Sequence, residues 1–166
     1  MPPSASLPSK HTAAIDFVPL SDIPASDLVA LMNTPEVGKL LPLLRGTFTL
    51  EQAEAFKAAK QALWDAHGFG PWAFMVGGRF AGWGGVQPED GEADFALILH
   101  PDYWGLGRRI FERVRREVFT TLGRDSLTIL FPPARANARA VLRMGFEAEG
   151  SLIIDGAEFR KYRLRR

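Results

Sequence analysis

The 166-residue sequence predicts a mixed α/β fold: a mostly antiparallel central sheet with helices on both faces. Three observations carry that expectation. Helical spacing of apolar residues dominates up to residue 67, and short strand-like runs dominate after it. Two tight-turn signals, Gly77-Gly78 and Asp155-Gly156, each stand between such runs and mark hairpins. A single strand–glycine loop–helix passage, residues 97–111, interrupts the strands, which argues against a repeated βαβ sheet. The apolar share, 46%, is enough for a proper core at this length. Residues 13–166 are expected to form one domain behind a flexible, Pro- and Ser-containing tail at 1–12.

In order, residues 13–20 form a short apolar segment ending near Pro19, fit for an edge strand. Ser21 or Ser26 is the expected cap of a helix whose buried face is Leu28, Val29, Leu31 and Met32. Asn33-Thr34-Pro35 interrupts it, and residues 37–44, broken by Pro42, read as a turn of helix and a loop. Thr49 opens a second helix, residues 50–67, with Gln52 as its capping-box partner. Ala53, Phe56, Ala59, Leu63 and Trp64 fall near helical spacing, Lys57, Lys60 and Gln61 are expected on the wet side, and Gly68 and Gly70 end the helix.

Residues 72–76 and 80–86 read as the two arms of the first hairpin. Gly82, Gly84 and Gly85 weaken the second arm and point to a bulge or to something approaching the backbone closely. Residues 88–91 make a polar turn, and 93–99 the strand that leads into the glycine loop. The helix beginning at or near Arg108 carries Ile110, Phe111, Val114, Val118 and Leu122 on one stripe, with Arg113, Arg115, Arg116 and Glu117 mainly elsewhere. Gly123 stops it; a buried strand at 127–131, a short helix at 137–144 and a closing hairpin, 146–154 with 158–164, complete the chain.

A net charge of +1 gives no global attraction to nucleic acid or to an anionic membrane. The absence of cysteine excludes disulfides, thiolate metal sites and a cysteine nucleophile. No stretch approaches the roughly 18 apolar residues of a membrane span. A soluble, cytoplasmic protein is expected, with no metal, nucleic-acid or membrane partner and with room for a homodimer.

The chemistry concentrates where the strand ending Leu97, Ile98, Leu99 runs through His100-Pro101 into the glycine loop. A helix leaves its first N–H groups unpaired, with a partial positive charge at that end. Gly105 and Gly107 remove side chains that would hold an anion away from those donors, and Arg108 and Arg109 add formal charge. This is a phosphate seat by construction; the plain alternative is a turn joining a strand to a helix. No Lys-Ser or Lys-Thr follows the glycines, as a P-loop needs, and Ile110 stands where a dinucleotide fingerprint needs a third small residue.

The order strand, Gly-x-Gly, helix in Trp104-Gly105-Leu106-Gly107-Arg108-Arg109 resembles the acyl-CoA pyrophosphate loop of the GNAT superfamily of N-acetyltransferases. Its Tyr-Trp-Gly-x-Gly form is similar to the Rim-type branch, which acetylates protein N-termini, and to small-molecule relatives. Leu31-Met32-Asn33-Thr34-Pro35-Glu36-Val37, Trp72-Ala73-Phe74 with Arg79-Phe80-Ala81-Gly82, and the segment 137–146 with Gly145-Phe146 resemble further parts of that family, in order, so that the likeness covers residues 15–163.

The resemblance implies a fourth strand that splays from the fifth, leaving Leu97, Ile98 and Leu99 to pair with the pantetheine arm opposite residues 127–131. It implies a pyrophosphate on the N–H groups of Leu106, Gly107, Arg108, Arg109 and Ile110. Asn137 falls where the family often places a Ser or Asn that touches the cofactor; otherwise it caps the short helix. Asp94 looks aligned with the acidic residue early on the family's fourth strand, a base for the amine; otherwise it is a surface residue near the turn. Glu92, two residues away on the same face, is the reserve. Arg109 departs from the usual Gly or Ala, and its side chain points to solvent, grips a phosphate or crowds the seat. Val141 stands where many members carry a tyrosine that protonates the leaving thiolate. His100 reads as structural, and Trp64, Trp72 and Trp83 as core or pocket wall. The implied activity is transfer of an acetyl group from acetyl-CoA, as co-substrate, directly to a primary amine on a protein N-terminus or small molecule. A catalytically silent acyl-CoA-binding module of the same fold is the alternative.

Overall fold

The computed structural model describes residues 9, 12–133 and 138–166. Of the expected tail only Ser9 and Thr12 are among them, and Asn137 lies outside the described residues.

Seven strands form one sheet: β1 (Ile15–Val18), β2 (Pro71–Val76), β3 (Arg79–Glu89), β4 (Glu92–Leu99), β5 (Ser126–Phe131), β6 (Glu147–Ile154) and β7 (Ala157–Arg165). Their order across the sheet is β1-β2-β3-β4-β5-β7-β6. Every neighbouring pair is antiparallel except β4 and β5. Among the described residues five α-helices accompany them: α1 (Ala25–Met32), α2 (Pro35–Gly38), α3 (Leu50–His67), α4 (Gly107–Thr120) and α5 (Ala138–Arg143). The two expected hairpin turns sit where the sequence places them, with Gly77 and Gly78, then Asp155 and Gly156, all at positive φ.

Two apolar clusters grip the sheet from opposite faces. One gathers Phe74, Val86, Phe95, Leu127 and Ile129 under α4, whose Ile110, Phe111, Val114 and Val118 are fully buried, and under Val141 of α5. The other gathers Leu28, Leu31 and Met32 of α1, Val37 of α2 and Ala53 of α3 against Ala73, Trp83 and Ile98. Strand alternation explains the division, because Ile98 and its neighbour Leu99 must face opposite ways.

The helix starts separate strong caps from weak ones. At α3 the Thr49 hydroxyl accepts from Gln52 N–H at 3.2 Å while Gln52 Oε1 accepts from Thr49 N–H at 2.9 Å, the reciprocal pair the sequence predicts. Neither Ser21 nor Ser26 caps α1; Pro24 precedes its first residue with no side-chain bond, and its fixed φ sets the helix entrance instead. The inward stripe of α3 runs Ala53, Phe56, Lys60, Leu63, while Ala59 is exposed. Lys60 therefore does not belong to the wet face where helical spacing alone would put it.

The glycines of β3 are explained by the strand beside it. A Cβ on Gly82 would stand 2.1 Å from the Ile98 carbonyl oxygen, and one on Gly84 2.3 Å from that of Ala96. What approaches the backbone closely is thus β4 itself, and the bulge lies on the other side of β3, in its pairing with β2 between Phe74 and Met75.

Candidate active site

The parallel pair is a fork. β4 and β5 are in register only at Asp94–Thr128 and Phe95–Ile129, after which the facing edges carry no further partner pairs. His100 N–H donates to the Ala81 carbonyl, which fixes the parity of the β3–β4 ladder: even-numbered residues of β4 turn their backbone groups to β3, odd-numbered ones to the fork. Leu97 and Leu99 therefore face the open edge, and Ile98 does not. The Leu99 carbonyl is taken by the Trp104 indole N–H at 3.0 Å. Leu97 is left as the residue of β4 whose N–H and C=O stand ready for an added strand-like partner.

The glycine loop closes over the open end. Residues 101–103 form one 3-10 turn, Leu106 is wholly buried, and Gly105 sits at φ 103°, a conformation that side chains disfavour. Leu106 N–H donates to Tyr103 O at 3.2 Å, and the ladder of α4 begins with Ile110 N–H on Leu106 O at 3.1 Å. Within the expected stretch from Leu106 to Ile110, these two ends are already engaged, and the donors at the helix tip are those between them, Gly107 and Arg108 foremost. A Cβ on Gly107 would lie 3.2 Å from Leu97 Cδ2, so the helix tip rests directly on the strand that borders the fork. No acidic residue stands in the first turn of α4, and the Arg108 side chain is exposed beside it. Arg109 is occupied differently: its guanidinium donates to the Ala13 carbonyl at 3.0 Å, and Arg113 one turn on donates to Ile15 O and stacks 3.9 Å from the Phe17 ring centre. These two arginines strap α4 to the start of β1.

At the apex of the fork lies Asp94, 5% exposed, so it is not a surface residue of the turn. Thr128 Oγ1 donates to Asp94 Oδ1 at 2.8 Å across the first of the two ladder steps, one before the splay. Burial pushes the Asp94 carboxyl up, and the nearby negative charges of Glu89 and Glu92 add to it, against the Thr128 hydrogen bond and Lys161; the outcome is a pKa of about 7. Such a carboxylate is a competent proton acceptor near neutrality. Glu92 behaves otherwise. Burial pushes it up, but the hydrogen bonds and charges of Arg163 at 2.6 Å and Lys161 at 3.0 Å hold it below its ordinary value. Arg163 also binds Glu149 at 2.7 Å and Ser126 Oγ at 2.8 Å, so Glu92 is one corner of a charged clamp joining β4 to β7 and β6.

The face of the fork opposite α4 is walled by α3 and roofed by the segment after α2. Asn33 holds that segment with both ends of its amide, Nδ2 donating to Phe48 O at 2.8 Å and Oδ1 accepting from Phe48 N–H at 2.9 Å. On the α3 wall, Lys60 Nζ donates to Gln87 Oε1 at 2.8 Å. It lies 5.0 Å from the Phe56 ring centre and 5.6 Å from that of Trp83. Burial lowers the Lys60 pKa, the nearby Glu89 charge opposing the shift. The indole N–H of Trp83 is buried without an acceptor among the described residues. Sequence reasoning missed Lys60; the +3, +4, +3 spacing of Ala53, Phe56, Lys60 and Leu63 was the signal. Val141 is a core residue, and Tyr162 is buried against Phe131, 5.9 Å between ring centres. His100 accepts the Asp102 N–H on Nδ1 at 3.1 Å, a structural role at the turn.

Comparison with known proteins agrees with this architecture. The acetyltransferase (GNAT) domain family matches residues 16–147. An acetyltransferase from Agrobacterium tumefaciens str. C58 superposes with a TM-score of 0.71 at 21% identity, over 98% of this chain and 97% of that one. An acetyltransferase (GNAT family) from Bacillus anthracis gives 0.69 at 15% identity, over 93% and 96%. The aminoglycoside acetyltransferase AAC(6')-Ib, in complex with coenzyme A, gives 0.72 at 14% identity, over 93% and 95%. At such identities the likeness is one of fold. No curated protein matches in sequence. Among the described residues no helix is long and apolar enough to cross a membrane.

Proposed function

This chain belongs to the GNAT acetyltransferase family, and from that premise we propose that it moves the acetyl group of acetyl-CoA directly to a primary amine, of a small molecule or a protein N-terminus. The observation that carries the reading is the fork itself: strand pairing that ends at Phe95–Ile129, with a helix N-terminus at its mouth and a buried carboxyl of pKa about 7 at its apex.

Acetyl-CoA supplies an activated thioester and a leaving thiol. The residues here fit it: Leu97 offers backbone groups for the pantetheine amides, Gly107 and Arg108 offer N–H donors to the diphosphate, and Gly107 leaves space that a Cβ would fill. Asp94 takes the proton that the ammonium must lose before nitrogen attacks the thioester carbon, directly or through one water. The C–N bond forms as C–S breaks, the second proton shed by the nitrogen passes, directly or through water, to the departing CoA thiolate, and with no cysteine in the chain the acetyl group has no thiol of the protein to rest on. Thr128 holds the Asp94 carboxylate, and Glu92, tied into the Arg163 clamp, keeps the lower end of the fork closed. Placing amine and thioester together supplies the remainder of the acceleration. A silent CoA-binding module has no use for a proton acceptor at this point.

Acetyl-CoA at a hundred times its dissociation constant should stabilise the protein by about 2.7 kcal/mol. That is a rise of several degrees in Tm for a domain of this size. No rise would overturn the reading. A rise without acetyl transfer to any of a panel of peptides, polyamines and amino acids would instead identify the silent module.

A further inference from the structure

The α3 wall carries hydrogen-bond donors that acetyl transfer as such does not use. The Lys60 ammonium has three N–H groups and spends one, on Gln87 at 2.8 Å. No carboxylate lies within ion-pair distance of it among the described residues, although it is largely withdrawn from water over Phe56 and Trp83. Beside it the Trp83 indole N–H, in a residue only 6% exposed, has no acceptor among the described residues. A buried donor left unpaired costs about 1–3 kcal/mol. Both groups are therefore answered by one thing, an oxygen acceptor brought between helix and strand, and the ammonium favours one that carries negative charge.

The rest of the face is arranged to match. Lys57, one turn before Lys60, keeps only 14% of its side chain exposed and lies 3.9 Å from Glu54 of the same helix, so Lys60 is the cation left to the face. The acids, Glu89, Glu92 and Asp94, lie on the strand side. Gln87 and Asp94 are direct partners in the β3–β4 ladder, so the residue that holds Lys60 and the carboxyl that takes the proton stand side by side, their Cβ atoms about 5 Å apart. Gln87 thus links the two groups, holding Lys60 Nζ at 2.8 Å through its side chain and pairing with Asp94 through its backbone.

Resting on the acetyltransferase reading, we propose that Lys60, with Trp83 and Gln87, selects the acceptor, and that the acceptor is an amine carrying a carboxylate a few carbons away, an amino acid in place of a neutral or polycationic amine. Lys60 is then a specificity residue and no part of the bond-making step.

The test compares acids with their amides. The native enzyme should acetylate γ-aminobutyrate and β-alanine with kcat/KM about tenfold or more above γ-aminobutyramide and β-alaninamide, the worth of one hydrogen bond to a charged group. Lys60→Met should erase the preference through the KM of the acids and leave the amides unchanged, while Lys60→Arg should retain it. Equal use of acid and amide by the native enzyme, or a preference that survives Lys60→Met, overturns the proposal. Binding is read separately from the Trp83 indole N–H resonance, assigned by its loss in Trp83→Phe. N-acetyl-γ-aminobutyrate should shift it in the native protein and not in Lys60→Met. A shift without turnover of any amine keeps the carboxylate site and overturns acetyl transfer; turnover of amines without that shift keeps the transferase and overturns the carboxylate site.

Discussion

The two sides of the β4–β5 fork are made of different material. On the α4 side the groups that face a ligand are backbone: the edge of Leu97, the N–H groups of Gly107 and Arg108, and space secured by an absent Cβ. On the α3 side they are side chains: Asp94 on Thr128, Lys60 on Gln87, and the orphan indole of Trp83. A backbone site binds what any member of a family must bind, because its donors do not depend on residue identity. A side-chain site is free to differ from chain to chain, and on the reading proposed above it sets protonation and choice of acceptor. Substitution should therefore hurt the first side through volume and the second through charge.

The largest effect is expected at Asp94. Asp94→Asn keeps the shape and the bond to Thr128 but removes the proton acceptor, and should lower kcat by roughly a hundred- to ten-thousand-fold with acetyl-CoA affinity little changed. The native rate should rise with pH up to about 7, where Asp94 becomes ionised, and the variant should lack that step and recover only at high pH. A loss below about threefold would move the base elsewhere, and Glu92, held down by Arg163 and Lys161, is the weaker substitute.

The same substitution should act oppositely on stability. The Asp94 pKa stands at about 7 in the folded protein against an ordinary 3.8, so between those values the folded state binds the extra proton and stability falls as pH rises. A tenfold difference in proton affinity corresponds to about 1.4 kcal/mol, so the full loss is of the order of 4 kcal/mol above pH 7. Asp94→Asn should therefore gain in denaturant midpoint over the native protein at pH 8 and gain little at pH 4. A gain that does not change with pH would mean that Asp94 is not held neutral by burial.

On the backbone side the effect is smaller and of another kind. Gly107→Val puts branched carbon 3.2 Å or nearer to Leu97 and into the space before the helix donors, and should weaken acetyl-CoA binding by about tenfold or more. The kcat at saturating acetyl-CoA and the pH profile should stay as in the native protein. A displaced pH profile would show that the two sides are not separable as described.

Much of the frame is written in short stretches of sequence. Thr49 and Gln52 lie three residues apart and bond to each other. Gly77-Gly78 and Asp155-Gly156 turn the chain within two residues. The stripe Ile110, Phe111, Val114, Val118 buries as its spacing requires, and the glycine loop meets the start of α4 within one residue of the expected point. These signals are local, so composition and spacing reveal them. The sequence by itself thus determined the fold class, the strand–loop–helix passage and the family likeness that follows from them. The tertiary structure alone decided that Asp94 is buried, because its surroundings come from Thr128, 34 residues away, and from Glu89 and Lys161. It alone made Glu92, the reserve base of the sequence reading, the corner of an ion-pair clamp, through Arg163, 71 residues away. It alone brought Lys60 inward onto Gln87, tied Arg109 to Ala13 and ended the β4–β5 ladder at Phe95. Burial and charge at a position are properties of what packs against it, and those neighbours are assembled from distant parts of the chain only when the sheet closes.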